Sequence, residues 1–498
     1  MTERARLTLS RAAVAALVLA PALVVTWAFR PGYMNADSLI EYSVTKPWGD
    51  FTDWRAPLIE KLWDLFETAG VGSPTIVLFA QTLTMVAGFT LVFRAVLGRV
   101  PAALVGALLV FTPLVLSQVM LVGRDTWLAS FAVFQLGCVI SWSGSTGRAR
   151  RLWLGLAVLS GLLVVATRQN AVVLELFVLV AATSRAYADR APERGRGRAV
   201  LVPLALGGAA SVLAFAVVST LPRVMGARDM QPEAWLYAYD LTGMSLDEGE
   251  VLLGPEAFPA QDLSVLRERW NPQLVESVLV PLGEGPVLVD GRFPDAVDEL
   301  GADWREQIRE RPGAYLAVRW ELFQRILGIS HRPTYVLHGG VDGPNPWGFA
   351  IANPGADDAF RDYVGWFAAD DTFATGSDLF RPWIWLGLGL VAAGVLLVPR
   401  GVRGRPGAIE VGLLAVGAVV YEGTFAVVAM GESFRYSYPA IVVSLVAIVF
   451  AVATLATHRR SASTDADDRA AGDDARPVNE TAVVGELVTT EGESASLV

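Results

Sequence analysis

Four short polar stretches interrupt an otherwise apolar chain, and each carries a side chain suited to acid–base or anion chemistry. They are Asp37, eight residues beyond an apolar run that ends at Phe29, then Gly123-Arg124-Asp125, Arg168-Gln169-Asn170 and Phe434-Arg435-Tyr436. The planar donor fork of arginine is the side chain best matched to phosphate and carboxylate. Arg124, Arg168 and Arg435 at the ends of apolar runs, beside a carboxylate, read as an anion site plus a carboxylate at a membrane–water boundary. For any one of them the plain alternative is a snorkelling arginine that touches lipid headgroups. Asp37 is flanked by Met34, Leu39 and Ile40, so partial burial is expected. Desolvation would raise its pKa and a nearby arginine would lower it; either suits a group that holds or accepts a proton. Asp53 and Arg55 lie in a turn stiffened by Pro57, where they either join the site or pair with each other.

Positioning such groups falls to the apolar runs. Of 498 residues, 53% are hydrophobic and only 18% charged, against about 25% charged in an ordinary soluble domain. The fold class is therefore a polytopic α-helical membrane protein. A hydrocarbon core about 30 Å thick needs about 20 apolar residues per helix. Ten spans are expected, near 12–29, 75–93, 101–121, 126–142, 152–167, 171–184, 199–221, 382–399, 408–429 and 436–457. The fifth and sixth are separated only by Thr167-Arg168-Gln169-Asn170 and are read as two short helices. Every second connection is rich in arginine, which the positive-inside rule assigns to the cytoplasm, as it does both termini. The first span has no small-x-small cleavage site before Arg30 and reads as an uncleaved anchor.

Four regions follow. Residues 1–221 form an N-terminal transmembrane module whose first outer loop spans 30–74. Residues 222–381 form an extracytoplasmic, mixed helical domain between spans seven and eight, and 382–460 carry the last helices. Residues 461–498, rich in Asp, Glu, Ala and Ser, are expected to be a disordered cytoplasmic tail. The formal net charge of −10 comes from the middle segment and this tail, so nucleic acid is not an expected partner. Within the middle segment, 312–329 places Leu316, Trp320, Phe323 and Leu327 on one helical face with Arg319 and Arg325 away from it. That suits either a helix lying on the bilayer or one in a small soluble domain. Trp235, Tyr237 and Tyr239 are expected to pack a core rather than stack on a sugar.

A lone cysteine, Cys138, excludes an intrachain disulfide, and three scattered histidines (His331, His338 and His458) give no metal-ligand spacing. Glu175 and Glu422 fall inside apolar runs, where a carboxyl group marks either a transport path or a structural partner for a buried arginine. A transporter or flippase of a lipid-linked or anionic substrate, and a non-catalytic envelope assembly subunit, are therefore readings to weigh against an enzyme.

The order and sidedness of these elements resemble the GT-C membrane glycosyltransferases, which include protein mannosyltransferases and aminoarabinose transferases. The resemblance rests on a first helix, an outward loop with early Asp37-Ser38, a return through Arg55-Ala56-Pro57-Leu58, then Arg124-Asp125, Arg168-Gln169-Asn170-Ala171 and Phe434-Arg435-Tyr436. It covers the membrane portion. Arg55 stands where the commoner pattern has histidine, and Gln169 likewise. The resemblance implies transfer of a sugar from a polyprenyl-phosphate donor to an extracytoplasmic cell-envelope acceptor in a bacterial plasma membrane. Asp37 would be the base; Arg124, Arg168 and Arg435 would hold the donor phosphate; Asp53, Arg55, Asp125, Asn170 and Tyr436 would support them. It calls for no cofactor, although some relatives use a divalent metal.

Overall fold

The structure, a computed structural model, describes residues 3–44, 57–190, 196–224, 226–227, 231–279, 294–336, 338–368, 370–371, 374–375 and 378–474. It is helical almost throughout. In chain order come α1 (Glu3–Phe29), α2 (Ala36–Val44), α3 (Pro57–Thr68), α4 (Pro74–Leu97), α5 (Arg99–Val110), α6 (Pro113–Val119), α7 (Arg124–Ser143), α8 (Gly147–Thr167), α9 (Val172–Arg190) and α10 (Arg196–Val224). A polar segment follows with α11 (Glu233–Glu248), α12 (Leu263–Arg269), α13 (Glu276–Leu279), α14 (Pro294–Glu310), α15 (Pro312–Ile326) and α16 (Pro354–Ala368). A two-residue antiparallel hairpin, β1 (Asp370–Asp371) and β2 (Ala374–Thr375), leads to α17 (Pro382–Leu397), α18 (Arg400–Arg403), α19 (Ala408–Val428) and α20 (Phe434–Asp474).

Eight of these helices are long and apolar enough to cross a membrane. The expected third span is instead a broken pair: α5 and α6 meet at 68°. Pro113 supplies the break, because it lacks an N–H and cannot continue the helix. The Tyr363 hydroxyl donates to the Phe111 carbonyl at the break (2.9 Å). The eighth expected span, α17, is only 16 residues long. Of the ten spans expected from sequence, eight fall on such helices among the described residues, one on the bent pair and one on the short helix.

α7 is the most deeply buried of the spans and packs on α4 and α8. Close approach between α4 and α7 depends on glycine: a Cβ on Gly88 would lie 2.6 Å from the Phe134 backbone nitrogen. Small residues at such contacts are how helices gain packing contacts in lipid, where water expulsion drives nothing. α9 packs on α10 and α19, and α17 on α19. In the polar segment α11 packs on α14 and α15, and α15 also reaches α19. By contact the chain forms two units, Met1–Thr454 and Leu455–Val498. The second has helical backbone through Asp474, so helix extends into the stretch expected to be disordered.

On α15 the apolar stripe read from sequence is split: Leu316 and Trp320 are 62% and 56% exposed, while Phe323 and Leu327 are half-buried. The fully buried residues are Val318, Arg319, Leu322 and Ile326, a stripe that includes an arginine.

Candidate functional site

The site begins where α1 ends. Tyr33 and Met34 run as a short extended stretch between two other loops: Tyr33 bridges Leu121 and Met34 bridges Val341, both in parallel. The Tyr33 N–H donates to the Met120 carbonyl and the Val122 N–H to the Tyr33 carbonyl, both at 2.9 Å. On the other side the Met34 N–H donates to Gly340 (2.9 Å) and the Asp342 N–H to Met34 (2.8 Å). Asn35 then caps α2, its Oδ1 accepting from the Ser38 N–H at 3.0 Å and the Ser38 hydroxyl at 2.9 Å. Such a cap satisfies an otherwise unpaired helix donor. It fixes Asp37 in the first turn, close to the membrane exit.

The loop that accepts this stretch is held by two buried glutamines. Gln81 Nε2 donates to the carbonyls of Val119 and Leu121 (2.8 and 2.9 Å). Gln118 Nε2 donates to Tyr335 and Val336 (3.3 and 2.9 Å), and its Oε1 lies 3.2 Å from His338 Nε2. The loop therefore enters α7 with Arg124 and Asp125 in the first turn. Gly123, just before them, lies against the Ser38 hydroxyl.

Side chains from four helix ends meet here. Arg435 Nη1 lies 2.6 Å from Asp37 Oδ2, and Arg435 Nε lies 3.9 Å from Asp125 Oδ2. Asp125 Oδ1 in turn lies 2.6 Å from Arg168 Nε. The result is an alternating chain, Asp37–Arg435–Asp125–Arg168, joining residues up to about four hundred positions apart. The Tyr436 ring lies under both guanidiniums, 4.6 Å from Arg168 and 5.5 Å from Arg435. Asn170 sits beside the chain rather than in it, donating to Thr424 Oγ1 at 3.0 Å. Arg124 has no ion pair among the described residues, and its Nε is buried without a hydrogen-bond partner. Asp53 and Arg55 lie outside the described residues.

Two features were not anticipated. His338 faces Gln118, and burial together with the nearby Arg435 charge pushes its pKa down to about 3, so its imidazole is neutral. With Gln118 Nε2 already donating to two carbonyls, its Oε1 accepts from His338 Nε2–H, which leaves Nδ1 as the lone-pair nitrogen. Nothing in its sequence neighbourhood, His338-Gly339-Gly340, marks it as a partner of a residue 220 positions earlier. The second is Glu175, considered from sequence as a partner for an arginine. It accepts instead from Gln135 Nε2 at 2.9 Å, while Arg168 takes Asp125. Glu422 accepts from the Ser437 hydroxyl at 2.5 Å.

Chemically, the cluster is a partly buried set of two carboxylates and two guanidiniums, with Arg124 next to Asp125 in the first turn of α7. Among the described residues no group of three or more His, Cys, Asp or Glu is arranged to hold a metal ion. No protein-family model matches the chain, and no curated protein or solved structure is significantly similar to it. Fold and site together define a class: the chain is a polytopic α-helical membrane protein with a charged cluster gathered at one end of its bundle.

Proposed function

We propose that the chain is a membrane glycosyltransferase that moves a sugar from a polyprenyl-phosphate donor to a cell-envelope acceptor on the extracytoplasmic side of a bacterial plasma membrane. The observation that carries this reading is the Asp37–Arg435–Asp125–Arg168 chain, built from four separate helix ends. An isolated surface ion pair adds little to stability and needs no such assembly. A leaving phosphate, by contrast, needs positive charge held in place before it departs.

In this reading the donor phosphate takes Arg435 away from Asp37. Arg168 stays on Asp125, which orients it. The acceptor hydroxyl attacks the anomeric carbon, the bond from that carbon to the phosphate oxygen breaks, and the hydroxyl proton passes to the released Asp37 carboxylate. The product has inverted configuration, and the phosphate leaves on the polyprenol under Arg435 and Arg168, while Arg124 holds the donor phosphate from the moment it binds. His338, neutral, offers an acceptor nitrogen rather than a charge. On the same reading both termini are cytoplasmic and residues 222–381 are extracytoplasmic.

Transport is the rival. It would use Glu175 within the bundle, but that carboxyl is held by Gln135 and pressed against Gly161, where a Cβ would lie 2.6 Å from Glu175 Oε1. That packing favours a fixed structural role. The deciding experiment is transfer of radiolabelled sugar from a panel of polyprenyl-phosphate donors into envelope material, with wild-type membranes against Asp37→Asn. Label with wild type alone supports the proposal; equal label removes Asp37 from the base role. No transfer by folded wild type with any donor would sink the enzyme reading.

A further inference from the structure

A second site lies away from the charged cluster, in the polar segment between α10 and α17. A cleft of about 190 Å³ opens between α11 and α15, with Trp270 and Pro272 at its edge. At about 30 Å³ per water this is room for about six waters, enough to seat one pyranose ring. Trp270 is partly exposed, and behind it the buried Tyr239 ring sits 4.9 Å away with its hydroxyl spent on the Pro272 carbonyl (2.9 Å). The indole therefore presents a rigid face. Around it stand Leu246 and Val318 as apolar wall, Asp247 and Glu321 as acceptors and Arg325 as donor.

We propose that this cleft binds a single neutral sugar ring of a glycan, stacked on Trp270 and held through its hydroxyls by Asp247, Glu321 and Arg325. A pyranose has an apolar face of C–H groups and a rim of hydroxyls, and an aromatic plate edged by mixed donors and acceptors matches both. Two carboxylates against one guanidinium disfavour a sugar phosphate or uronate. Asp247, raised by desolvation and by the neighbouring Glu321 and Glu248, gains further from a hydroxyl that donates to it.

Arg325 also ties the cleft to the charged cluster. It holds Glu321 at 2.9 Å and stands 3.8 Å from Glu432, a buried carboxylate three residues before Arg435. On the transferase reading, on which this part alone rests, the cleft would seat a sugar of the acceptor glycan. Binding itself does not depend on that reading.

The test is saturation-transfer NMR on the full-length detergent-solubilised chain, with methyl glycosides of common neutral hexoses as probes and glucose 6-phosphate and glucuronate as controls. Neutral glycosides are expected to bind, the charged controls not. Removing the plate in Trp270→Ala should weaken binding about tenfold or more, and Asp247→Asn, at an exposed position, about threefold. Should Trp270→Ala fail to fold, Asp247→Asn alone decides. Asp37→Asn should bind like wild type; a wild-type chain that binds sugars but transfers none would keep this site and sink the transferase reading. The inference is overturned if no neutral glycoside binds, if the charged controls bind as well, or if Asp247→Asn binds unchanged.

Discussion

Two buried charge systems in this molecule are built to opposite plans. In the polar segment, Arg319 and Asp240 pair at 2.5 Å with side chains 4% and 0% exposed. Trp304 Nε1 donates to the same Asp240 oxygen at 2.8 Å, and Arg319 Nη1 donates to the Ala429 carbonyl at 2.5 Å. That system is almost wholly buried, with one charge of each sign, and it fastens α11 and α15 to the loop before α20. At the bundle end, Arg435 and Asp37 are 18% and 25% exposed, and Arg124 makes no ion pair among the described residues. A pair buried that deeply holds shape. A partly open chain can exchange a partner for an incoming anion, and the proposed function rests on that difference.

The sharpest way to break the comparison is to remove one carboxylate from each. Asp37→Asn preserves shape and should cut sugar transfer by about 10²–10⁴-fold, the usual worth of a general base, while leaving the thermal midpoint in place. A midpoint that collapses with the activity would place Asp37 with the structural pair instead. Arg319→Ala should do the reverse. Stranding Asp240 as a buried, uncompensated charge costs about 3–5 kcal/mol, so thermal unfolding in detergent should fall markedly. Replacing both members, Arg319→Met with Asp240→Leu, should recover most of that loss, because a buried pair is often no better than well-packed hydrophobic residues. Failure to recover would mean that the pair sets the position of the 429–433 loop as well as its stability.

Acid should move the two regions in opposite directions. Burial raises Asp240 to about 6, with Arg319 and Trp304 pulling the other way. The folded state then binds a proton more readily than the unfolded one, so this group's contribution grows as pH falls from about 6 towards 4. His338 is the mirror case: lowered to about 3, it refuses a proton that the unfolded chain accepts below about 6.5. Its contribution is present above pH 6.5 and is lost as pH falls, at up to about 1.4 kcal/mol per unit. Thermal midpoints of His338→Gln and Asp240→Asn, each plotted against pH relative to wild type, should therefore slope with opposite signs. Parallel slopes would show that neither group is held as its surroundings suggest.

Much of the charged cluster was legible because a charge at the end of an apolar run is costly and therefore informative. Asp37, Arg124, Asp125, Arg168, Arg435 and Tyr436 all announced themselves that way, and five of the six meet through ion pairs or ring contacts. What the sequence could not supply was pairing. Arg168 faces Asp125 rather than Glu175, and Gln118 reaches His338 across 220 residues, contacts fixed only by how the loops fold together. The α5–α6 bend was missed because 101–121 reads as uniformly apolar, and hydropathy is blind to what Pro113 does to a helix. On α15 the apolar stripe left open which face is buried; the pairing of Arg319 with Asp240, on the other side, decides it.

The smallest effect tests Arg124 itself. If two guanidiniums are already neutralised by Asp37 and Asp125, Arg124 is the one whose charge is free before any ligand arrives, and its buried, unpartnered Nε has a hydrogen bond still to make. An anion that binds there is held equally in the ground state and in the transition state. Arg124→Gln should then raise KM for the phosphate donor about tenfold with kcat little changed, the signature of uniform binding lost. A fall in kcat at unchanged KM would instead put Arg124 on the leaving group as it departs. An unchanged KM and kcat would reduce it to a headgroup contact, and the contrast with the Arg319–Asp240 pair would rest on the exposure of Asp37 and Arg435 alone.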